Sequence, residues 1–531
     1  MRLVSSRDMR AIEAAANADG LSYAPMMDLA GTAVAHAADD WMVGKPGVIV
    51  ILCGPGNNGG DGLIAASRLA ELGHAIRVLT WKRAEDDPLV LAAVDHPEIG
   101  LVDGSERGAL AMLAAWLEGA DILLDALLGT GVSRPIRGRL AEILAVAMEA
   151  AEDPDGPAIL AVDLPSGLNA DSGAVDPLTL PADLTVTFGF AKAGQFTWPG
   201  AGFVGELILD DIGIPQELGQ LSQFNLHAAS AEAVAALLPE LPLDAHKGMR
   251  GRVLLLAGSP SYPGAAALAA ESAYRAGCGL VTLIGSPSLR EALAARIPEV
   301  TWLALAEFHD LPSGSWPLAE AMAEIEKAWP AGGVVLAGPG LGQGPGSRDL
   351  LDALLLRALS ADARLVIDAD GLNLLAQRSD WPGLLPALSI LTPHPGEMAR
   401  LTGKSKEAVQ ADRLRVACEA AAIWGHVVVL KGALTVVAHP DGRAVIVPFA
   451  NPGLATAGTG DVLAGLIAGL LAQGMDALDA AVVGAWVHGR AGEMAAEDLG
   501  SRSVLARDLL YRLAEVLQSL EEGWELGPGL R

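Results

Sequence analysis

The sequence predicts an α/β protein of two tandem domains, each a largely parallel sheet covered by helices on both faces. Three observations predict it. Apolar runs of strand length alternate with helical patterns along both halves of the chain. The strand runs are almost continuously apolar, as expected where both faces of a parallel sheet are covered. Nearly every strand also ends in a loop bearing Gly, Asp, Ser or Thr, the place where open α/β sheets bind ligands.

The elements follow in order. "VIVIL" is a strand that enters the turn "CGPGNNGGDG", and "DGLIAASRLAELG" has helical periodicity. Strand "AIRVLTW" comes next, then a helix near Leu110 to Glu118, strand "DILLDALLG", a helix near Leu140 to Ala151, and strand "AILAVDLPSG". "DLTVTFG" and "GELILDD" extend the sheet edge. Between Pro215 and Lys247 the alternation lapses into segments rich in Pro, Gly and polar residues, so the domains are expected at 1–220 and 221–531. The second half restarts with "RGRVLLLAGS" and continues through "GLVTLIG", "GGVVLAGPGLGQGPGS", "ARLVIDADGLN", "SILTPHPGE", "HVVVLKGALTVVA" and "AGTGDVLAG". Its loop motifs differ from those of the first half, so the halves are not repeats of one unit.

Composition narrows the function. At 531 residues the chain exceeds one ordinary core, and with 51% hydrophobic and 19% charged residues it is not disordered. A formal net charge of −28 argues against nucleic acid as a partner, because phosphate contacts need clustered Lys and Arg. It leaves room for an anionic small ligand, since a few N–H groups and one Lys override the global field locally. Cys53, Cys278 and Cys418 show no metal or redox spacing, which suits a reducing cytosol. The N-terminus lacks a signal-type apolar core, and the run Val462 to Ala472 is shorter than the ~20 residues a bilayer requires. A cytoplasmic protein without a membrane partner is expected.

Gly54, Gly56 and Gly59 form a G-x-G-x-x-G after the first strand. A simple dinucleotide fingerprint wants an acidic residue at the end of the second strand. Lys82 and Arg83 stand there instead, suited to a 2′-phosphate. Asn57, Asn58 and Asp61 add oxygens and amides that a bare fingerprint does not require. One reading is a tight turn with Asp61 near a helix N-terminus; the other is a ligand loop. Two later loops favour the second. "DALLGTGVSRPIRG" places Asp125 at a strand end before a loop with Arg134, and "AVDLPSGLNADSG" does the same for Asp163 and Ser166. Asn58, Asp125 and Ser166 offer hard oxygens to an alkali or alkaline-earth cation, leaving Asp163 as an acid or base.

"GPGNNGGDG", "DALLGTG" and "DLPSGL", in this order, resemble the NAD(P)H-hydrate epimerase family, the YjeF N-terminal domain, over Met1 to Pro215. The resemblance implies a Rossmann-like three-layer sandwich that interconverts the R and S forms of hydrated NADH or NADPH. It assigns hydrate binding to Asn57, Asn58, Gly59, Gly60 and Asp61, and to Gly129, Thr130, Gly131, Val132, Ser133, Arg134 and Pro135. It places K⁺ on Asn58, Asp125 and Ser166, and Asp163 at the hydrated ring as the catalytic group. A relative of this domain also occurs in an mRNA-decapping scaffold, so fold alone does not imply catalysis; the full "NNGGD" with Asp125 and Asp163 points to an enzyme.

In the second half, Gly458, Thr459 and Gly460 lead into Asp461 and a helical pattern. Free N–H groups at a helix start make an anion hole, and Asp461 at its lip can accept a hydroxyl proton or merely cap the helix. Lys431 to Thr435 form a turn suited to nucleotide contacts. Gly340 and Gly342 allow close backbone approach. His394 is stiffened between two prolines. Asp368 and Asp370 in "DADGLN" either position Mg²⁺ or water, or shape a turn.

"TPHPGE", "KGALT" and "AGTGD" together resemble the ribokinase-like superfamily and, within it, the ADP-dependent NAD(P)H-hydrate dehydratase family, the YjeF C-terminal domain, from His246 onward. The resemblance implies a ribokinase-like α/β/α domain in which ADP phosphorylates the hydrate's hydroxyl, and loss of phosphate leaves NAD(P)H and AMP. It assigns Lys431, Gly432, Ala433, Leu434, Thr435 and Gly460 to the nucleotide. Gly340, His394 and Asp461 go to the hydrate, with Asp461 as base. Mg²⁺ is expected in this domain, ADP as co-substrate, and a homo-oligomer as the assembly. The competing expectation is a ribokinase-like small-molecule kinase with a non-catalytic N-domain.

Overall fold

The computed structural model describes residues 1–131, 134–215, 224–329, 332–361 and 363–523. It divides into two compact units, one ending at Leu226 and the next beginning at His227. The expected domain boundary at 220/221 lies outside the described residues. Among them no helix is long and apolar enough to cross a membrane.

The first unit is built on a seven-stranded sheet in the order Ile99–Asp103, Ala75–Thr80, Val48–Cys53, Ile122–Ala126, Ala158–Val162, Leu184–Phe188, Glu206–Asp210. Every pair is parallel. Alternate side chains feed two separate cores: Ile49, Ile51 and Cys53 join one, Val50 and Leu52 the other. This two-faced burial is why the strands read as continuous apolar runs. Chain order reverses between Val48–Cys53 and Ile122–Ala126, so the loops leaving these strands diverge.

The second unit holds a ten-stranded sheet. From Thr301–Ala304 it runs through Leu280–Gly285, Arg252–Leu256, Val334–Ala337, Arg364–Ile367 and Ile390–Leu391 to Val427–Leu430, all parallel. Thr435–Ala438 and Ala444–Val447 continue it antiparallel, and Leu226–Ala228 forms the far edge. Val253 and Leu255 enter one core, Leu254 and Leu256 another.

Several elements were not anticipated. Helices Ser6–Ala18 and Tyr23–Trp41 precede the first sheet. The first carried a local signal: Ser5 and Asp8 form a capping box. Leu3–Val4 pairs in parallel with Ala191–Lys192, a two-residue contact that no periodicity reveals. Thr301–Ala304 and Ala444–Val447 are short, four-residue strands, below the length at which alternation is recognisable.

Candidate active sites

In the first unit a cavity of about 660 Å³ opens where the sheet order reverses. The turn after Val48–Cys53 forms one wall. A Cβ on Gly54 would lie 1.8 Å from the Leu127 carbonyl oxygen, and one on Gly59 would lie 1.9 Å from that of Gly54. These two glycines therefore serve the turn's own packing, whereas Gly56 faces open space. Arg83 braces the turn by donating to the Gly54 and Gly56 carbonyls, at 3.0 Å each, and pairs with Asp87. Its guanidinium is thus engaged by the protein rather than held ready for a 2′-phosphate.

Asn57, Asn58, Asp61, Gly129, Thr130, Gly131, Arg134 and Asp163 line this cavity. Gly59, Gly60 and Pro135 are not among the lining residues; Gly60 packs against Met27 instead. Val132 and Ser133 lie outside the described residues. Asp61 is buried, which raises its pKa well above the usual carboxylate range, and the nearby charges of Asp163 and Glu13 add to the effect.

Of the expected cation ligands, Asp125 and Ser166 are hydrogen-bonded to each other, and Asn58 bonds to backbone carbonyls. Asp125 is fully buried; its Oδ1 accepts from Ser166 Oγ at 2.6 Å and from the Leu127 N–H at 3.2 Å, and its Oδ2 accepts from the Ser166 N–H at 2.7 Å. Asn58 Nδ2 donates to the Val162 and Leu128 carbonyls at 2.7 and 3.2 Å. Burial raises the pKa of Asp125, and the Ser166 hydrogen bonds oppose that rise. Among the described residues no Lys, Arg or His pairs with this carboxylate. A buried carboxylate without a counter-charge, amid carbonyl, amide and hydroxyl oxygens, fits a hard monovalent cation.

Asp163 follows strand Ala158–Val162 with a left-handed backbone, φ 63°. That conformation is held from both sides: its N–H donates to Val186 O at 2.7 Å, and its carbonyl accepts from Gln195 Nε2 at 2.8 Å. Its Oδ1 accepts from Thr187 Oγ1 at 2.9 Å and from Lys192 Nζ at 2.5 Å. Lys192, Arg10 and Glu13 all line the cavity, and none was singled out from sequence. Lys192 stood only as one charge in the apolar stretch "FGFAKAG", and Glu13 carried no motif signal.

In the second unit the strand ends deliver a charged cluster. Lys431 Nζ lies 2.6 Å from Asp368 Oδ1 and 3.9 Å from Glu397 Oε2. Thr392 Oγ1 donates to the same Asp368 oxygen at 2.7 Å. A Cβ on Gly460 would sit 3.4 Å from Lys431 Nζ, so the start of helix Thr459–Ala472 adjoins the ammonium. Gly458 takes the left-handed N-cap position, and Asp461 is the third helical residue without a capping bond. Buried His488 donates from Nε2 to Thr459 O at 2.9 Å and pins this helix start. Burial first, then Asp368, pushes the Asp461 pKa up to about 7; Glu397, also chiefly through burial, rises to about 7.

Asp370 has a different job. It accepts from Gly342 N and Gln343 Nε2, both at 2.9 Å, and so shapes the glycine-rich loop. His394 caps helix Pro395–Thr402: its Nδ1 accepts from Gly396 N at 2.9 Å, and desolvation followed by Lys431 lowers its pKa to about 4. Its ring is half exposed beside Glu397. Lys431 to Thr435 turn between two strands with Gly432 at φ 142° and Leu434 at φ 55°. Gly340, at φ 59°, packs on Tyr262 and Ala265. Among the described residues no three His, Cys, Asp or Glu side chains converge as a metal-ligand group. A divalent ion here fits only as one carried by phosphate oxygens and water.

Comparison with known proteins gives matches along the whole chain. A family model described as NAD(P)H-hydrate dehydratase matches residues 253–515, and one described as YjeF-related protein N-terminus matches residues 23–194. The bifunctional NAD(P)H-hydrate repair enzyme of Moorella thermoacetica is 38% identical, covering 98% of this chain and 98% of its own length. That of Escherichia coli is 36% identical over 88% of this chain and 84% of its own. Among solved structures, the ADP/ATP-dependent NAD(P)H-hydrate dehydratase of Bacillus subtilis, co-crystallised with ATP and Mg²⁺, is 33% identical. It covers 56% of this chain and 99% of its own, with a TM-score of 0.47.

Proposed function

The chain belongs to the family of bifunctional NAD(P)H-hydrate repair enzymes, and from that premise we propose which groups carry its two reactions. It combines a Rossmann-like NAD(P)H-hydrate epimerase domain with a ribokinase-like NAD(P)H-hydrate dehydratase domain. The alternative of a small-molecule kinase with a non-catalytic N-domain is set aside by similarity along almost the full length. We assign the epimerase to residues 1–220 and the dehydratase to residues 221–531.

Dihydronicotinamide contains an enamine double bond. Hydration adds a proton to its β carbon and hydroxide to the carbon beside the ring nitrogen. R and S hydrates differ at that carbon. Inversion follows when the nitrogen lone pair forms C=N, the C–O bond breaks and the hydroxyl leaves as water with one added proton. Water then adds to the other face and loses one proton. Asp163, in the cavity wall, is assigned the proton transfer, and its carboxylate faces the cationic ring. Asn57, Asn58 and Asp61, with Gly129, Thr130, Gly131 and Arg134, are assigned to the hydrate. Asn58, Asp125 and Ser166 would hold K⁺, whose fixed positive charge compensates buried Asp125.

In the other domain the ADP β-phosphoryl passes to the hydrate's hydroxyl, giving a phosphate ester and AMP. The hydroxyl proton goes to Asp461. Phosphate then leaves with its bonding electrons, the neighbouring carbon loses its proton, and the double bond of NAD(P)H returns. Hydroxide is a poor leaving group and phosphate a better one. The observation that carries this reading is the meeting of Lys431, Gly460 and Asp461 at one helix start. Lys431, Gly432, Ala433, Leu434, Thr435 and Gly460 are assigned to the nucleotide, Gly340, His394 and Asp461 to the hydrate. Mg²⁺ would arrive on the nucleotide phosphates. We assign this step to the S hydrate and to ADP, with the R form recycled by the epimerase. Three unpaired cysteines support a cytoplasmic location; a homo-oligomer is proposed, and light scattering of the full chain checks it. The decisive test is to supply R,S-hydrate and ADP to the full chain, following NADH by absorbance and AMP by chromatography. Release of a stable phosphorylated product without NADH would refute the assignment.

A further inference from the structure

We propose that Lys192 is a positioning residue of the epimerase, holding one oxygen of Asp163 so that the other is presented to the cavity. The proposal rests on the reading of Asp163 as the catalytic carboxylate. Asp163 Oδ1 is saturated by Lys192 Nζ at 2.5 Å and Thr187 Oγ1 at 2.9 Å, while among the described residues Oδ2 has no hydrogen-bond donor. The ammonium is itself held: it also donates to Thr187 Oγ1 at 2.9 Å and to Phe188 O at 3.3 Å, and the Lys192 N–H donates to Gln195 Oε1 at 2.7 Å. Gln195 in turn donates to the Asp163 carbonyl. One side chain thus ties the backbones of both partners together. Lys192 is 1% exposed and yet lines the cavity.

Stability alone is a weak reason for this arrangement. Burying an ion pair costs desolvation that its Coulomb attraction often fails to recover. Left-handed backbone at a non-glycine residue adds a further cost and persists where the surroundings over-determine it. Glu13 from the N-terminal helix and Asp61 from the helix after the glycine turn face the pair, with Arg10 and Arg83 completing the charged set. Within that set only Lys192 touches Asp163. Removing its ammonium leaves Asp163 Oδ1 with Thr187 as its one remaining donor among the described residues, so the carboxylate is no longer held in place.

The test uses the full chain, with its thermal melting as the measure of folding and dehydration of S-hydrate as an internal measure of enzyme concentration. Lys192→Met is expected to lower kcat for epimerisation ~10²-fold, with KM changed less than ~3-fold. Added to Asp163→Asn it should cost nothing further, because it acts through that residue. Lys192→Arg, which keeps the charge but not the geometry, should give a kcat between the two. It also decides the matter if Lys192→Met does not fold: a parental kcat would then overturn the proposal. So would a loss confined to KM or an additive loss in the double variant. Asp163→Asn separates the layers. If it epimerises at the parental rate, the reading of Asp163 fails. If it is inactive while Lys192→Met is parental, only the role of Lys192 fails.

Discussion

Lys431 Nζ sits 2.6 Å from Asp368 Oδ1, joining a turn between two strands to the end of another strand 63 residues earlier. The same ammonium lies 3.9 Å from Glu397 and beside the first turn of the helix that carries Asp461. One positive charge therefore faces three carboxyl groups. Burial disfavours their charged forms and the nearby charge of Asp368 adds to it, so Asp461 and Glu397 are each pushed up to about 7.

The first expectation is a pH dependence of dehydration. A base must be ionised to accept the hydroxyl proton, and Asp461 is protonated below about 7. The kcat/KM for S-hydrate should therefore fall as pH drops through ~7, about tenfold per unit below it. A profile flat down to pH 5 would remove Asp461 from the role of base.

Asp461→Asn keeps size and removes the base. NADH formation should drop ~10²-fold or more, ADP affinity by calorimetry should stay near parental, and epimerisation should be untouched. Stability provides a second reading. A carboxyl with a raised folded-state pKa opposes folding once ionised, fully above about 7 and progressively less as pH falls toward its unfolded value of 3.8. The variant should melt higher at pH 8, by ~2–4 °C per kcal/mol relieved, and the gain should shrink toward pH 4. Equal losses of ADP binding and turnover would instead make Asp461 a structural element of the helix start.

Asp163→Asn should suppress R-to-S conversion ~10²–10⁴-fold while dehydration of pure S-hydrate continues. Chromatographic separation of the two hydrates over time reads this directly. Conversion at the parental rate would exclude Asp163 as the proton-transfer group.

Asp125→Ala removes the buried carboxylate that accepts from Ser166 and Leu127. K⁺ should raise the melting temperature of the parental chain more than Na⁺ or Mg²⁺ does, and the variant should lose that increment together with hydrate affinity. A parental chain indifferent to K⁺ would argue against the cation.

The glycines of the first turn should separate by function. At Gly59 a Cβ would meet the Gly54 carbonyl oxygen at 1.9 Å, so Gly59→Ala should lower the melting temperature and reduce soluble yield. Gly56, with φ −90° and nothing within 4 Å, should accept Ala without loss of stability; any defect should appear only as a higher KM for the hydrate. A stable, fully active Gly59→Ala would contradict the close packing of the turn.

The sequence by itself determined the two-domain α/β plan and the loops that carry chemistry. Both are local properties: continuous apolar runs such as "VIVIL" declare buried parallel strands, and Gly with Asp, Asn or Ser at their ends declares tight turns. Motif order then pointed to Asn58, Asp125, Asp163, Lys431 and Asp461. Tertiary structure decided what those groups touch. Lys192 reaches Asp163 across 29 residues, and Lys431 reaches Asp368 across 63. The two-residue strand Ala191–Lys192, paired with Leu3–Val4, lies beside the short 3₁₀ turn that brings Gln195 to Asp163. Glu13 joins the cavity from a helix no motif marks. Such pairings depend on sheet order and on which strand ends lie side by side. The raised carboxyl groups follow from burial and crowding of like charge, and both arise only when distant segments are packed into one low-dielectric place.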